Sequence, residues 1–183
     1  MSDEEISIRP LADADLEAVA TLHVRGWQWA YAGIIPQVYL DSLTVADNLA
    51  RRRRRRAGDA DGGVEELVAE RAGGLVGWSA VGPYREDPDG LDRTVGELYA
   101  IYVHPDEIGT GVGRALMAAS LELARSAGYP ALRLWVLEAN HRARRFYERA
   151  GWVADGERAW YEREGVRVPE IRYSLPLQAG PGG

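Results

Sequence analysis

Apolar positions recur along this chain with two periods, and the switches between them outline its elements. Near the N-terminus Ile6 and Ile8 alternate with polar neighbours, which predicts a first strand ended by Pro10. Leu16, Val19, Ala20 and His23 then fall at helical spacing, behind Asp13 and Asp15, carboxylates suited to the exposed N–H groups of a helix start. Gly26 to Pro36, rich in Trp27, Trp29 and Tyr31, reads as a loop or broken helix. A second helix is predicted from Gln37 through an arginine run, with Gly58–Gly63 ending it. Val64–Glu70 and Leu75–Tyr84 flank Ala72-Gly73-Gly74, two apolar runs around a turn that tolerates positive φ, which is a hairpin signal. Arg85–Asp92 reads as a polar loop, and Val95–Val103 as a strand stopped by His104-Pro105.

The second half alternates more regularly. Leu116, Ala119, Leu123 and Ala127 form a helical stripe closed by Gly128 and Pro130; Ala131–Leu137 is a strand. Asn140–Ala150 is a helix with Asn140 as its cap and Gly151 in the left-handed position after it. Trp152–Tyr161 and Val168–Leu175 complete a terminal strand pair. The order is β-α-α-β-β-β-α-β-α-β-β. It predicts one α/β (α+β) domain over residues 1–183, with a core from 6 to 175, a mostly antiparallel mixed sheet and a frayed tail at 178–183.

Composition narrows the function. The 183 residues suffice for one core, and an apolar fraction of 46% is that of a globular chain. The chain has no cysteine, which excludes thiolate metal sites and a cysteine nucleophile and fits a reducing compartment. Every basic residue is arginine, which excludes a Schiff-base or P-loop lysine. The opening MSDEEISIRP has no apolar signal core, and no run approaches the ~18 apolar residues of a membrane span, so a cytoplasmic protein is expected. A net charge of −6 disfavours nucleic acid and anionic lipid as partners.

Two stretches carry chemistry. Val103-His104-Pro105-Asp106-Glu107-Ile108-Gly109-Thr110-Gly111-Val112-Gly113-Arg114 ends a strand and opens a helix. Glycines there let successive N–H groups converge, and the helix start adds positive potential, a layout suited to a pyrophosphate. The alternative is a glycine-rich helix start with no ligand. In the following helix Ala143, Phe146, Tyr147 and Ala150 share one face. Alone, Tyr147 reads equally as a half-buried aromatic and Asn140 as a cap; their spacing after a strand and a glycine turn is what suggests a thioester site.

At this point the sequence resembles the GNAT superfamily of acetyl-CoA-dependent N-acetyltransferases, over nearly its whole length from Ile6 to Leu175. The family's Gln/Arg-x-x-Gly-x-Gly/Ala motif maps to Ile108 through Gly113, with glycines at 111 and 113 and isoleucine in the first place. Its Asn-x-x-Ala-x-x-Phe-Tyr-Glu-x-x-Gly-Phe motif matches at Asn140, Ala143, Phe146, Tyr147, Glu148 and Gly151, with Trp152 last. The resemblance implies a sheet of about seven strands flanked by about four helices, with a V-shaped splay between the fourth and fifth strands. It implies acetyl-CoA as acyl donor, no metal, and a small-molecule or peptide amine as acceptor; a homodimer is compatible with it. Main-chain groups of Ile101, Tyr102 and Val103 would pair with the pantetheine amides, and those of Ile108, Gly109, Thr110, Gly111, Val112, Gly113 and Arg114 would line the pyrophosphate. Asn140, Ala143 and Phe146 would lie along the cofactor.

Direct attack by an amine needs a base, because an aliphatic amine with a pKa near ~10 is protonated at pH 7, and the leaving thiolate needs an acid. Tyr147 is the expected acid. Glu97 is the expected base, acting directly or through water; a solvent-facing strand-edge glutamate is the alternative. Trp27, Trp29, Tyr31, Trp78 and Tyr99 are candidates for the acceptor pocket, Trp27 and Tyr31 foremost, or for the core. An inactive CoA-binding sensor of the same fold is the second reading. Arg51–Arg56, six consecutive arginines, is expected to be an exposed helix end paired with Asp59, Asp61, Glu65 and Glu66 rather than a nucleic-acid patch. His23, His104 and His141 have no metal-ligand spacing, and Gly77-Trp78-Ser79-Ala80-Val81 lacks the last glycine of a nucleophile elbow.

Overall fold

The computed structural model describes residues 5–58, 62–86 and 90–177. In chain order the elements are β1 (Ser7–Pro10), α1 (Leu16–Ala30), α2 (Gln37–Ser42), α3 (Val45–Ala57), β2 (Glu65–Arg71), β3 (Gly74–Glu86), β4 (Gly90–Val103), α4 (Val112–Ser126), β5 (Ala131–Leu137), α5 (His141–Arg149), β6 (Val153–Arg163) and β7 (Val166–Pro176). The strands form one seven-stranded sheet in the order β1-β2-β3-β4-β5-β7-β6. Every neighbouring pair is antiparallel except β4 and β5.

Strand alternation divides the core between the two sheet faces. Along β2, Val68 faces α1 with Leu16, Val19 and Trp78, whereas Leu67 and Ala69 face α4 with Val112 and Leu116. On the α4 side of β5 and β7, Leu132, Leu134, Val136, Ile171 and Tyr173 join Met117 and Trp152. A further cluster beneath α2 holds Ile35, Tyr39, Leu40 and Leu137.

Three local expectations are corrected. Helix α1 continues through Ala30 instead of breaking at Gly26: Trp27 and Tyr31, one turn apart, meet edge to face at 4.8 Å, and Gly26 packs against the Tyr102 ring. The helix expected from Gln37 onward is two, because Leu43 is extended and Thr44 caps a new start, accepting from the Asp47 N–H at 3.1 Å. That makes five α-helices among the described residues rather than four. Strands β3 and β4 run into the loop expected at Arg85–Asp92, pairing as far as Glu86 and Gly90. Positions 59–61, 87–89 and 178–183, where a helix end, part of that loop and a frayed tail were expected, lie outside the described residues.

The arginine run holds one surprise. Arg52 is buried at 7% exposure and joins a network between α1, α3 and the sheet. It donates to Glu66 at 3.1 Å, Asn48 Oδ1 at 2.9 Å and His23 Nδ1 at 3.0 Å, and its guanidinium lies 4.2 Å from the centre of the Trp78 ring. Trp78 Nε1 donates to the same Glu66 carboxylate at 2.7 Å. A guanidinium can only donate, so His23 Nδ1 is an acceptor and the ring is neutral with its proton on Nε2. Burial, then Arg52, pushes the His23 pKa down to about 3. The other five arginines of the run are exposed.

Candidate active site

The site is built where the sheet comes apart. Strands β4 and β5 pair only at Gly96–Leu132 and Glu97–Arg133. Gly96 makes that seam: a Cβ there would stand 2.5 Å from Leu132 Cδ2 and 2.8 Å from the Tyr129 ring. Beyond it the strands diverge, as expected for a splay between the fourth and fifth strands. A bulge adds to the divergence, since Val81 pairs with Leu98 and Ala80 with Ala100, leaving Tyr99 as the extra residue. The resulting cleft has a volume of about 700 Å³. One wall is β4 from Leu98 to Val103, so Tyr99, Ile101, Tyr102 and Val103 line the cleft.

At the outer end, β4 runs into a 3₁₀ turn at Pro105–Glu107 and then the glycine turn. Gly109 and Gly111 have φ of 85° and 100°, conformations that a side chain would strain. Helix α4 starts at Val112, and the N–H groups of its first turn lack intrahelical acceptors. Ile108, Gly109, Gly111, Gly113 and Arg114 line the cleft. The side chains of Thr110 and Val112 do not: Thr110 Oγ1 bonds the Glu107 carbonyl at 2.8 Å, and Val112 is fully buried against Leu116. Arg71, on β2, braces the turn by donating to Glu107 at 2.5 Å and to the Thr110 carbonyl at 3.3 Å. This brace spans a sequence separation that no local motif signals. Arg142 and Arg149 also reach the cleft, with Arg142 stacked 3.4 Å over the centre of the Trp29 ring, so its cationic lining comes from two helices.

Helix α5 forms the opposite wall. Asn140 caps it, accepting from the Ala143 N–H at 3.1 Å, and lines the cleft, its Nδ2 bonding no described residue. Ala143, Phe146 and Tyr147 follow on the cleft-facing side. The Tyr147 ring packs among Phe146, Trp152 and Tyr173 at 5.5, 6.2 and 6.4 Å, while its hydroxyl bonds no described residue. Burial, and then the nearby Tyr31 phenol, push its pKa above the ordinary tyrosine value, so it is protonated at neutral pH. Tyr31 also lines the cleft, and its hydroxyl lies 3.1 Å from that of Tyr102.

Other expected residues stand elsewhere. Trp78 is buried in the Arg52 network, stacked on Tyr102 with ring planes 7° apart. Trp27 is not in the cleft wall but supports Tyr31 from behind and lines a smaller cavity, of about 230 Å³, between α1 and α3. Glu97 is not in the cleft wall either. It is 1% exposed, and Arg85 holds it through its main-chain N–H at 3.0 Å, its Nε at 3.1 Å and a further guanidinium bond. The Arg85 guanidinium in turn covers the Tyr99 ring at 4.3 Å. Trp29 lines the cleft, as do Met117, Trp135 and Gly26, which the sequence did not point to. Among the described residues there is no group of three or more His, Asp or Glu placed to hold a metal, and no helix is long and apolar enough to cross a membrane.

Comparison with known proteins agrees with this architecture. Residues 25–152 match the Acetyltransferase (GNAT) family. The uncharacterized N-acetyltransferase YuaI of Bacillus subtilis is 30% identical over 93% of each chain. The probable N-acetyltransferase Rv2775 of Mycobacterium tuberculosis is 30% identical over the full length of both. Among solved structures, the putative acetyltransferase yncA of Salmonella typhimurium, with its cofactor acetyl-CoA, superposes with a TM-score of 0.69 at 22% identity, covering 97% of this chain and 96% of its own. The chain belongs to the GNAT acetyltransferase family, a family of acyltransferases.

Proposed function

We propose that this protein transfers the acetyl group of acetyl-CoA to a primary amine of a small molecule or peptide by direct attack. The observation that carries the reading is the span of one cleft: an anion-receptive glycine turn at one end, a strand edge without a partner along its length, and the free Tyr147 hydroxyl on the facing wall.

In this reading the main-chain amides from Gly109 to Arg114 receive the pyrophosphate, assisted by the α4 start and by Arg142 and Arg149. Main-chain groups of Ile101, Tyr102 and Val103 pair with the pantetheine amides as an added strand would. Asn140 Nδ2 donates to the same arm, and Ala143 and Phe146 pack along it. The amine nitrogen forms its bond to the acetyl carbonyl carbon, the C–S bond breaks, and Tyr147 gives its proton to the sulfur. Its raised pKa keeps that proton available at neutral pH. Tyr31 and Tyr99 bound the acceptor end; Trp27 supports Tyr31 from behind, and Trp78 stacks on Tyr102. Glu97 serves as base only through a water, since Arg85 engages both of its oxygens.

Thermal melting with acetyl-CoA and with CoA tests the cofactor half of the proposal. A ligand at ~100 times its Kd stabilises the native state by ~2.7 kcal/mol, enough for a clear rise in Tm. Thiol release across a panel of primary amines tests the transfer. No shift in Tm at millimolar acetyl-CoA would overturn the reading.

A further inference from the structure

Two helices from opposite sides of the sheet meet across the cleft. Helix α1 packs Val19 and Leu22 against Trp78 and Ala80 of β3. Helix α5 packs Phe146 and Tyr147 against the core of β5 and β7 on the α4 side. Beyond the seam no further pairing joins β4 to β5 among the described residues. Trp29, in the last turn of α1, and Arg142, in the first turn of α5, bridge that gap. The guanidinium carbon lies 3.4 Å from the centre of the indole, and both residues line the cleft. Trp29 is 43% exposed, so core packing does not account for it.

At that separation the guanidinium lies flat on the ring, and its N–H groups point outward in its own plane. They bond no described residue, and partial burial, unopposed by any described carboxylate, lowers the Arg142 pKa. A guanidinium in this pose can hold a ring by its face and an anion by its edge at once. The glycine turn is close by. Phe146, one turn after Arg142, packs on Gly113, where a Cβ would stand 3.4 Å from the Phe146 ring. On the α1 side, Trp29 stands two residues before Tyr31, which bounds the acceptor end. The Tyr31 main-chain N–H donates to the Trp27 carbonyl at 3.0 Å, and its hydroxyl lies 3.1 Å from that of Tyr102. Trp29 and Tyr31 therefore belong to one ordered helix end.

We infer that Trp29 is a positioning residue that couples the two substrates. A phosphate of the cofactor on the edge of Arg142 fixes the guanidinium, the face of the guanidinium fixes Trp29, and the end of α1 then holds Tyr31 in place for the acceptor. The inference rests on the acetyltransferase reading above. Linkage makes the coupling reciprocal: acetyl-CoA raises acceptor affinity by the factor by which the acceptor raises that of acetyl-CoA. A cation–π contact strengthens as ligand drives water from it, and the span of such contacts from exposed to desolvated sets that factor at roughly 2- to 30-fold.

Hydrogen exchange of the full chain with and without CoA, followed over residues 27–35 and 108–114, tests the coupling. CoA should slow exchange in both segments of the unmodified protein. In Trp29→Leu, which stays apolar but offers the cation no ring, CoA should slow only 108–114, and Trp29→Phe should restore part of the protection at 27–35. In thiol release from acetyl-CoA with n-propylamine, Trp29→Leu should raise KM for the amine roughly 2- to 30-fold with kcat little changed. Adding Arg142→Gln to it should raise that KM no further, because the two side chains act as one unit. Exchange at 27–35 that CoA does not slow, protection there that survives in Trp29→Leu, or KM effects that multiply would overturn the inference while acetyl-CoA still raised Tm. Absence of that Tm shift in the unmodified protein would instead overturn the transferase reading itself.

Discussion

Replacing His23 with asparagine should flatten the acid side of the stability curve. The ring is neutral, accepts a bond from Arg52 at 3.0 Å and stacks 5.1 Å from Tyr102, and its pKa falls from 6.5 to about 3. The unfolded chain binds a proton at this residue below pH 6.5, whereas the folded chain does so only near pH 3. Stability conferred by the neutral ring is therefore lost as pH falls through that window. Linkage puts the loss between pH 7 and pH 5 at about 2 kcal/mol from this one group. Asparagine keeps an acceptor near the Nδ1 position and does not titrate. Urea unfolding followed by tryptophan fluorescence at pH 7, 6 and 5 measures the difference. The variant starts less stable, having lost the ring contacts, but its stability should decline by about 2 kcal/mol less than that of the unmodified protein. Parallel declines would show that His23 is not held neutral and would refute the account of the Arg52 network.

Tyr147→Phe should lower kcat by roughly 10- to 1000-fold with little change in KM for acetyl-CoA, since only the proton donor is removed; an unchanged kcat would take Tyr147 out of the chemistry. Gly111→Ala forces a side chain into a φ of 100° and should cost about 1–2 kcal/mol in urea unfolding, with weaker acetyl-CoA binding by calorimetry. Gly96→Ala drives a methyl group into Leu132 and Tyr129 and should cost about 1–3 kcal/mol, seen as a lower Tm. Arg71→Ala should weaken acetyl-CoA binding without lowering kcat at saturation, because it frees Glu107 beside the glycine turn.

Features encoded over a few neighbouring residues were legible in the sequence. The cap at Asn140, the left-handed glycine after α5 and the turn at Ala72-Gly73 are all local, and the structure has each of them. The T-x-x-D start at Thr44 was equally local but lay hidden inside a polar helical pattern. Other features depend on strand register, which the sequence does not print. Arg85 and Glu97 meet because β3 folds back on β4, and Arg71 reaches Glu107 across the sheet. Trp78 and Trp27 looked like pocket residues because aromatic content alone does not say which side of a strand or helix faces the cleft.

The narrow seam at Gly96 and Glu97 has a mechanical meaning. Strands β1 to β4 and strands β5 to β7 form two plates held by a short weld, and a pantetheine arm lying between them would act as a rivet. Cofactor occupancy would then stiffen the whole domain, and amide protons along Leu98–Val103 would exchange slowly only while the wedge was filled.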